Sequence, residues 1–195
     1  MTSVPKRYLT PEEYLAQERR AEYKREYFKG EIFAMAGASR EHNLIAGNLS
    51  RELGNQLRDR PCEVYQSDMR VKVSSTGLYT YPDVVVVCGE PRFEDAEADT
   101  LLNPTVLFEV LSETTENYDR GKKFEHYRAL PSLQEYVLVA QEKCHVEQFT
   151  RQPGNRWLLW ETDDLEGTLN LPSIGCELKL TDVYAKVTYA APPSQ

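Results

Sequence analysis

The chain has 195 residues, 41% of them hydrophobic, and a formal net charge of −8 at pH 7. This length fits a single domain over residues 1–195 with a substantial core, and no apolar run is long enough to cross a membrane. The acidic balance argues against a protein that holds nucleic acid mainly by neutralising phosphates. It argues less against an enzyme, because a bound divalent cation would offset part of the charge of its site.

The cysteine pattern and the N-terminal residues predict a cytoplasmic protein. The four cysteines are scattered and show no C-x-x-C pair, which favours reduced thiols over a disulfide framework or a zinc site. The N-terminal residues lack the apolar stretch of a secretory signal. The cysteines are Cys62, Cys88, Cys144 and Cys176.

Three elements are predicted in the first third of the chain. The Thr-Pro-Glu-Glu run from Thr10 is typical of a helix N-terminus. Two strand-like runs flank Lys29-Gly30, whose glycine favours the turn of a β-hairpin. Apolar residues at helical spacing predict a longer helix after Ser39. The expected bounds are 10–20 for the first helix, 23–28 and 31–35 for the hairpin strands, and 40–58 for the second helix.

The middle of the chain alternates strands with an acidic loop and a helix. One strand is expected over residues 64–73, ending at a Ser-Ser-Thr-Gly run. Two short apolar runs, each interrupted by one acid, predict buried strands around Asp83 and Glu109. Between them, residues 89–103 carry five acids and are expected to form a solvated, mobile loop. A helix is then expected over residues 117–130, where a proline stops it.

The last third of the chain is predicted to be mostly β-structure. A second hairpin is followed by three short strands and a frayed tail. The expected bounds are 133–140 and 144–150 for the hairpin, 157–161, 168–171 and 178–180 for the strands, and 190–195 for the tail. The predicted class is α+β, with a central mixed β-sheet flanked by helices and a C-terminal β-meander.

The two acids within buried strands are the strongest functional signal. An ionised carboxylate there must be paired or bound to a metal, because burying an isolated charge is costly, and neither run contains a basic residue. If the strands of Asp83 and Glu109 are neighbours, both carboxylates can face one pocket. Two carboxylates and waters form a site suited to Mg²⁺ or Mn²⁺, which can activate a water and stabilise charge on a phosphodiester.

A helix face that follows the Glu109 strand can complete this site. Asp119, Lys123 and Tyr127 repeat every four residues and therefore share one face. Lys123 lies beside Phe124 near the inward stripe, so its ammonium can reach the carboxylates and counter phosphate charge or orient water. The alternative is a solvated helix face, or a purely structural salt bridge between Lys123 and Glu109.

Five positions, Asp83 among them, can be interpreted as structural instead of functional residues. Asp83 follows a proline and can simply cap a turn. Glu26 and Glu31 flank the first hairpin turn and can be exposed turn residues. His42 lies on the inward stripe of the second helix, where a hydrogen-bonded, half-buried histidine is common. Asp68 falls within a predicted strand and has no assigned role.

Taken in order, these residues resemble a known family. The motifs are Arg25-Glu26-Tyr27-Phe28-Lys29-Gly30-Glu31, His42 at a helix start, Tyr81-Pro82-Asp83-Val84, Glu109-Val110-Leu111-Ser112, Asp119 through Lys123 to Tyr127, and Glu135-Tyr136-Val137-Leu138-Val139. From about Thr10 to Tyr184 the chain resembles the Uma-type restriction endonuclease family of the PD-(D/E)XK nuclease superfamily. The resemblance implies a restriction-endonuclease-like core and magnesium-dependent hydrolysis of phosphodiester bonds in DNA.

The resemblance also implies roles for individual residues. Asp83 matches the aspartate of the motif and Glu109 its (D/E), so these two are the implied ligands of Mg²⁺ or Mn²⁺. The lysine of the motif would fall at Leu111, and Lys123 from the following helix replaces it. Lys122 is the less well-placed alternative to Lys123. The acid from the N-terminal part of the fold is Glu31 or, as the second choice, Glu26. The remaining supporting positions are His42, Asp68, Asp119 and Tyr127.

Two functions from different classes follow. The first is a metal-dependent DNA endonuclease in which Asp83 and Glu109 bind the metal, Lys123 assists the attacking water and Glu31 supports the site. A homodimer is plausible for such an enzyme, because both strands of a duplex must be cut. The alternative is a catalytically inactive interaction module that keeps the nuclease fold, which the net charge and the apolar Leu111 favour. A glycosidase that uses the two acids is disfavoured. Its sugar-binding cleft would need exposed aromatic side chains, and Trp157 and Trp160 lie far along the chain from the acids, in the predicted meander.

Overall fold

The computed structural model describes residues 8–35 and 37–189, so the predicted tail at 190–195 lies outside the described residues. The helices are α1 (Pro11–Glu18), α2 (Arg40–Leu57), α3 (Glu116–Tyr118), α4 (Phe124–Tyr127) and α5 (Leu180–Val183), and a π-helical turn (Asp119–Lys123) joins α3 to α4. None of the helices in the described ranges is both long and apolar enough to span a membrane.

The strands are β1 (Arg25–Phe28), β2 (Glu31–Ala34), β3 (Cys62–Gln66), β4 (Arg70–Val73), β5 (Leu78–Thr80), β6 (Val84–Cys88), β7 (Thr100–Leu101), β8 (Val106–Leu111), β9 (Glu135–Ala140), β10 (Val146–Gln152), β11 (Arg156–Thr162), β12 (Thr168–Leu171) and β13 (Cys176–Lys179). They form a six-stranded sheet in the order β11-β10-β9-β8-β6-β3 and a five-stranded sheet in the order β2-β1-β5-β4-β7. The strands β12 and β13 form a separate hairpin.

Both large sheets are mixed. In the six-stranded sheet β8 and β9 run parallel while the other neighbours run antiparallel. In the five-stranded sheet β4 and β7 run parallel. The α+β class with a mixed sheet flanked by helices is therefore confirmed, and the structure adds that the strands divide between two large mixed sheets. The predicted meander is present as β9, β10 and β11, which extend the six-stranded sheet.

The N-terminal elements form where the sequence predicts them. The Thr10 hydroxyl accepts a hydrogen bond from Glu13 N at 3.2 Å, and the Glu13 carboxylate accepts one from Thr10 N at 3.0 Å. This reciprocal pair satisfies two backbone donors that the helix itself cannot use. The hairpin turn places Lys29 at φ 48° and Gly30 at φ 89°, which is a backbone conformation that glycine adopts at little cost.

The central strands β6, β8 and β9 of the six-stranded sheet are buried on both faces, and a polar side chain there must find a partner. On one face Val84 and Val86 pack with Leu49 of α2. On the other face Val85 packs in a cluster that includes Tyr127 of α4. Each fully buried aliphatic side chain contributes about 1.5–3 kcal/mol of hydrophobic free energy. An acid within this layer therefore requires partners.

The predicted strand over residues 64–73 is wrong, because the structure has two strands there. Ser67 lies between them with φ 50°, so the chain turns and β4 enters the five-stranded sheet while β3 stays in the other. Neither β5 nor α5 was predicted. Elements of three or four residues are too short to establish a hydrophobic period.

The prediction of four reduced cysteines is also wrong. The structure joins Cys62 to Cys88 in a disulfide, while Cys144 and Cys176 are free. The two bonded cysteines face each other across the antiparallel pair β3 and β6. Sequence spacing could not show this, because the partners are brought together only by the register of the two strands.

The acidic segment 89–103 is solvated as predicted at three of its five acids, but it is tied to the rest of the fold by a short strand and by ion pairs. Its strand β7 pairs with β4. The Arg19 guanidinium lies 2.8 Å from Asp95 Oδ2 and 2.8 Å from Asp99 Oδ2. The buried Arg70 lies 2.9 Å from the same Asp99 oxygen. The acids were correctly seen in the sequence, but their distant arginine partners were not.

This network predicts a pH-dependent contribution to stability. Hydrogen bonds from Arg19, together with the charge of Arg70, hold the pKa of Asp99 well below its usual range of about 3.9. A depressed pKa stabilises the fold above the ordinary aspartate pKa, and that stabilisation is lost as the pH falls through the native pKa. We therefore expect Asp99→Asn to lower the free energy of unfolding by about 1 kcal/mol at pH 7, with a deficit that shrinks in acid.

Urea unfolding of both proteins across acidic and neutral pH measures this difference. Glu97→Gln is the matched control, because Glu97 lies exposed in the same segment. A deficit for Asp99→Asn that stays constant down to strongly acidic pH would contradict the argument.

Candidate active site

The strand register brings the two predicted acids together. Asp83 directly precedes β6, and Val84 of β6 lies opposite Phe108 of β8 in an antiparallel pair. Asp83 N donates to the carbonyl oxygen of Phe108 at 3.1 Å, and Val110 N donates to Asp83 Oδ2 at 2.7 Å. Asp83 is therefore bonded to the residues that precede and follow Glu109 in the chain, which places the two acids next to each other. The condition stated for the sequence, that the two strands be neighbours, is met.

The Glu109 carboxylate is fully enclosed. Its side chain is 4% exposed, and Oε1 accepts hydrogen bonds from the Tyr127 hydroxyl at 2.8 Å and lies 2.9 Å from Lys123 Nζ. Burial raises the pKa of Glu109 well above its usual range, and the neighbouring Lys123 ammonium opposes that rise. The carboxylate is thus held in the sheet by two donors from the helical segment.

Lys123 is the positive centre of the site. Its Nζ lies 3.4 Å from Glu26 Oε1 and 3.4 Å from Asp119 Oδ1, in addition to its contact with Glu109. Burial by itself would lower the pKa of Lys123, but the surrounding acids, Glu109 foremost, outweigh burial and raise it well above its usual range. The lysine therefore stays protonated at neutral pH. The exposed Lys122 next to it points away from this cluster.

Glu26 is the acid that the five-stranded sheet brings to the lysine. It is buried on β1 and accepts hydrogen bonds from the Thr80 hydroxyl and, at 3.4 Å, from the Tyr118 hydroxyl. Glu31, the first choice from the family resemblance, is half-buried at the start of β2 and lies opposite Phe28. Of these two glutamates, Glu26, which lies farther from the hairpin turn, forms the ion pair with Lys123.

His42 and a backbone amide fix the Asp83 carboxylate. His42 Nε2 lies 3.2 Å from Asp83 Oδ2, and Val110 N donates to the same oxygen at 2.7 Å. His42 is held at the start of α2, where its own amide donates to the Ser39 hydroxyl at 3.0 Å. This arrangement assigns His42 a position next to Asp83, which the sequence left open. Asp68, by contrast, is exposed and pairs with Lys24 at 3.0 Å.

The π-helical turn adds a residue that the sequence analysis missed. A π-helix aligns residues i and i+5, so Tyr118 as well as Asp119 lies beside Lys123. The Tyr118 ring centroid is 5.9 Å from Lys123 Nζ. Asp119 is buried, and burial raises its pKa. An α-helical spacing over this segment accounts for Asp119, Lys123 and Tyr127 but gives no reason to include Tyr118.

The donor set fits a hard divalent cation. Three carboxylates, those of Glu109, Glu26 and Asp119, surround the Lys123 ammonium, and the Asp83 carboxylate lies next to Glu109, bonded to Val110 N and beside His42. In the described part of the chain, the second oxygens of Asp83 and Glu109 take part in no hydrogen bond. Mg²⁺ is commonly bound by one or two carboxylates plus waters. Among residues 8–35 and 37–189, no three histidine, cysteine or acidic side chains converge as a ready metal site, so waters would complete the shell.

Comparisons with known proteins agree with this architecture. The family described as "Uma2: Putative restriction endonuclease" matches residues 11–182. Two proteins of Synechocystis sp. (strain ATCC 27184 / PCC 6803 / Kazusa) are similar. "Uncharacterized protein sll1609" is 40% identical over 161 residues, which are 83% of this chain and 91% of that protein. "Uncharacterized protein slr1290" is 36% identical over 189 residues, 96% of this chain and 97% of its own.

A solved structure shares the fold. The crystal structure of a "putative nuclease belonging to DUF820" from Anabaena variabilis ATCC 29413 superposes with a TM-score of 0.73 at 18% sequence identity. The match covers 92% of this chain and 99% of that one. The restriction-endonuclease-like fold implied by the sequence resemblance is confirmed.

Proposed function

We propose, on the premise that the chain belongs to the Uma2 family described as "Putative restriction endonuclease", that it is a magnesium-dependent DNA endonuclease. One observation carries the proposal: a buried carboxylate is paired with a protonated lysine, and a second carboxylate lies next to it. Lys123 Nζ is 2.9 Å from Glu109 Oε1, and Asp83 Oδ2 accepts a hydrogen bond from Val110 N, the residue after Glu109, at 2.7 Å. Carboxylates that can bind a cation beside a fixed ammonium suit the hydrolysis of a phosphodiester.

Asp83 and Glu109 are the proposed ligands of Mg²⁺ or Mn²⁺. When bound, such an ion supplies Lewis acidity and lowers the pKa of a coordinated water. Two features support this role for the two acids. Each has one oxygen anchored by the protein, through Val110 N and His42 for Asp83 and through Tyr127 and Lys123 for Glu109. The cluster also carries more negative than positive charge, which a divalent cation would offset.

Lys123 is proposed to stabilise the charge that develops on the phosphate and to orient the attacking water. Its position supports this role, because three acids hold the ammonium from different directions. A donor whose position is fixed before the reaction needs no reorganisation when charge develops. Glu26 and Asp119 are accordingly proposed as positioning residues, and Glu26 takes the supporting role that the sequence gave to Glu31.

The inactive interaction module remains a second candidate, because one observation favours it. Glu109 is paired directly with Lys123 inside a buried layer, and a purely structural ion pair has this appearance. In such a module, removal of either partner strands a buried charge and destabilises the fold. Divalent cations would then leave both stability and DNA unchanged.

The function is tested with the wild-type protein, supercoiled plasmid and linear DNA. We expect Mg²⁺ or Mn²⁺ to permit cleavage and EDTA to abolish it. We also expect either ion to raise the melting temperature, because a ligand at one hundred times its dissociation constant stabilises the native state by about 2.7 kcal/mol. Asp83→Asn should remove both effects. DNA left intact and a melting temperature unmoved by either ion would reject the endonuclease in favour of the module.

A further inference from the structure

Two exposed aromatic side chains flank the buried acid Glu26. Phe33 is 47% exposed and Tyr118 is 37% exposed, although large apolar side chains are usually buried. Phe33 lies directly opposite Glu26 in the pairing of β1 with β2. The Tyr118 hydroxyl donates to Glu26 Oε2 at 3.4 Å. Both rings are therefore next to the same carboxylate, at the solvent side of the candidate site.

The sheet geometry directs Phe33 toward the site. Opposed residues of an antiparallel pair share a face, so Phe33 projects from the face on which Glu26 contacts Lys123. The strand β2 is the edge of the five-stranded sheet, which leaves Phe33 open to solvent. Tyr118 approaches from the helical segment, with its ring 5.9 Å from Lys123 Nζ. Two partly exposed aromatic groups from different elements thus lie next to Glu26.

We propose that Phe33 and Tyr118 stack on unpaired bases, so that the substrate is single-stranded DNA or DNA with locally unpaired bases. This inference rests on the proposed nuclease function and specifies its substrate. Stacking on aromatic side chains requires the face of a base, which is covered by its neighbours in continuous duplex. A base that is unpaired and displaced from the stack can offer that face.

Charge supports the same substrate. Duplex DNA is held chiefly by cationic side chains that release its counterions, whereas this chain has a net charge of −8 and four acids at the site. A single strand also carries phosphates, but it releases fewer counterions per contact than duplex does, and stacking on aromatic side chains is tolerant of base identity. The acidic balance therefore opposes the binding of duplex more than the binding of unpaired strands through aromatic side chains.

The test is DNA affinity in metal-free buffer, so that no cleavage occurs. Fluorescence anisotropy would compare a labelled oligothymidine alone with the same strand in a duplex. We expect tighter binding of the single strand, and a loss of about 5- to 100-fold on Phe33→Ala for that strand alone. The loss should persist at high salt, because stacking is not screened as ion pairs are. Tyr118→Phe keeps the ring and should keep the affinity, whereas Tyr118→Leu should not.

Trp160→Ala is the matched control, because Trp160 is an aromatic residue of similar exposure (39%) on β11, in the other sheet. Equal losses for single strand and duplex, or none, would overturn the inference even if Mg²⁺-dependent cleavage is found. Intact DNA in the cleavage assay together with selective loss on Phe33→Ala would instead reject the nuclease and keep the stacking site. A protein that becomes monomeric on Phe33→Ala, with unchanged affinity for the single strand, would assign the patch to a second copy of the chain and reject stacking.

Discussion

Glu109→Gln is expected to slow DNA cleavage by at least about 10²- to 10³-fold while the fold stays intact. Glutamine keeps the shape of the side chain and one carbonyl oxygen for Tyr127 and Lys123, but it lacks the charge that would bind a cation. Because burial raises the pKa of Glu109, the charge at this position is costly to the fold. The free energy of unfolding should therefore change by no more than about 1 kcal/mol.

Single-turnover cleavage of labelled DNA and urea unfolding of the same preparations measure the two quantities. Glu125→Gln is the matched control, because Glu125 is exposed on the adjacent helix α4, and it should cleave at the wild-type rate. Cleavage that survives Glu109→Gln in a preparation free of other nucleases would remove Glu109 from the mechanism. Loss of cleavage together with global unfolding would leave the role structural.

Lys123→Met, unlike Glu109→Gln, should destabilise the fold strongly and lower the free energy of unfolding by about 3–5 kcal/mol. It removes the ammonium that faces Glu26, Glu109 and Asp119, so three buried acids lose their shared partner. Without the lysine the pKa values of Glu109 and Asp119, which burial already raises, rise further. Acids whose native pKa is raised favour the fold at low pH and oppose it as the pH rises through that pKa. The deficit of Lys123→Met should thus be larger at neutral than at acidic pH.

Lys122→Met is the natural control for the lysine, since Lys122 is the exposed neighbour and should cost little. The unequal costs of Lys123→Met and Glu109→Gln separate the two candidate functions. In a site with several acids around one lysine, removal of the lysine lowers the free energy of unfolding strongly and removal of one acid lowers it little. In a purely structural ion pair, removal of either partner lowers the free energy of unfolding by a similar amount. Similar destabilisation by both variants would favour the interaction module, and a Lys123→Met protein as stable as wild type would contradict the electrostatic picture.

The sequence predicted most of the individual elements, because the first hairpin, both long helical segments and the two acid strands carry strong local patterns. Of the candidate site residues predicted from the sequence, the structure gathers Glu109, Lys123, Asp119 and Tyr127 in one buried cluster, with Asp83 next to Glu109. These residues follow from short-range rules: alternation in strands, a repeat of four in a helix, and the cost of an unpaired acid in an apolar run.

The failures all depend on contacts distant in sequence or on non-standard backbone. The turn at Ser67 divides one predicted strand between two sheets, and the Cys62–Cys88 bond exists only through the register of β3 with β6. The choice of Glu26 over Glu31 as the partner of Lys123 depends on how the two sheets meet. Tyr118 is next to Lys123 because a π-helical turn changes the spacing of residues along the helix. The hydrophobic pattern of the sequence does not predict such a turn.

The division into two sheets has a consequence for when the centre can exist during folding. Glu26 comes from the five-stranded sheet, Asp83 and Glu109 belong to the six-stranded sheet, and Lys123 comes from the segment that contacts both. Contacts between such distant parts of a chain form late and slowly, because closing long loops costs entropy before any contact is made. A nascent or truncated chain lacking either sheet has no complete set of acids around the lysine. The candidate site therefore cannot be complete until both sheets have formed.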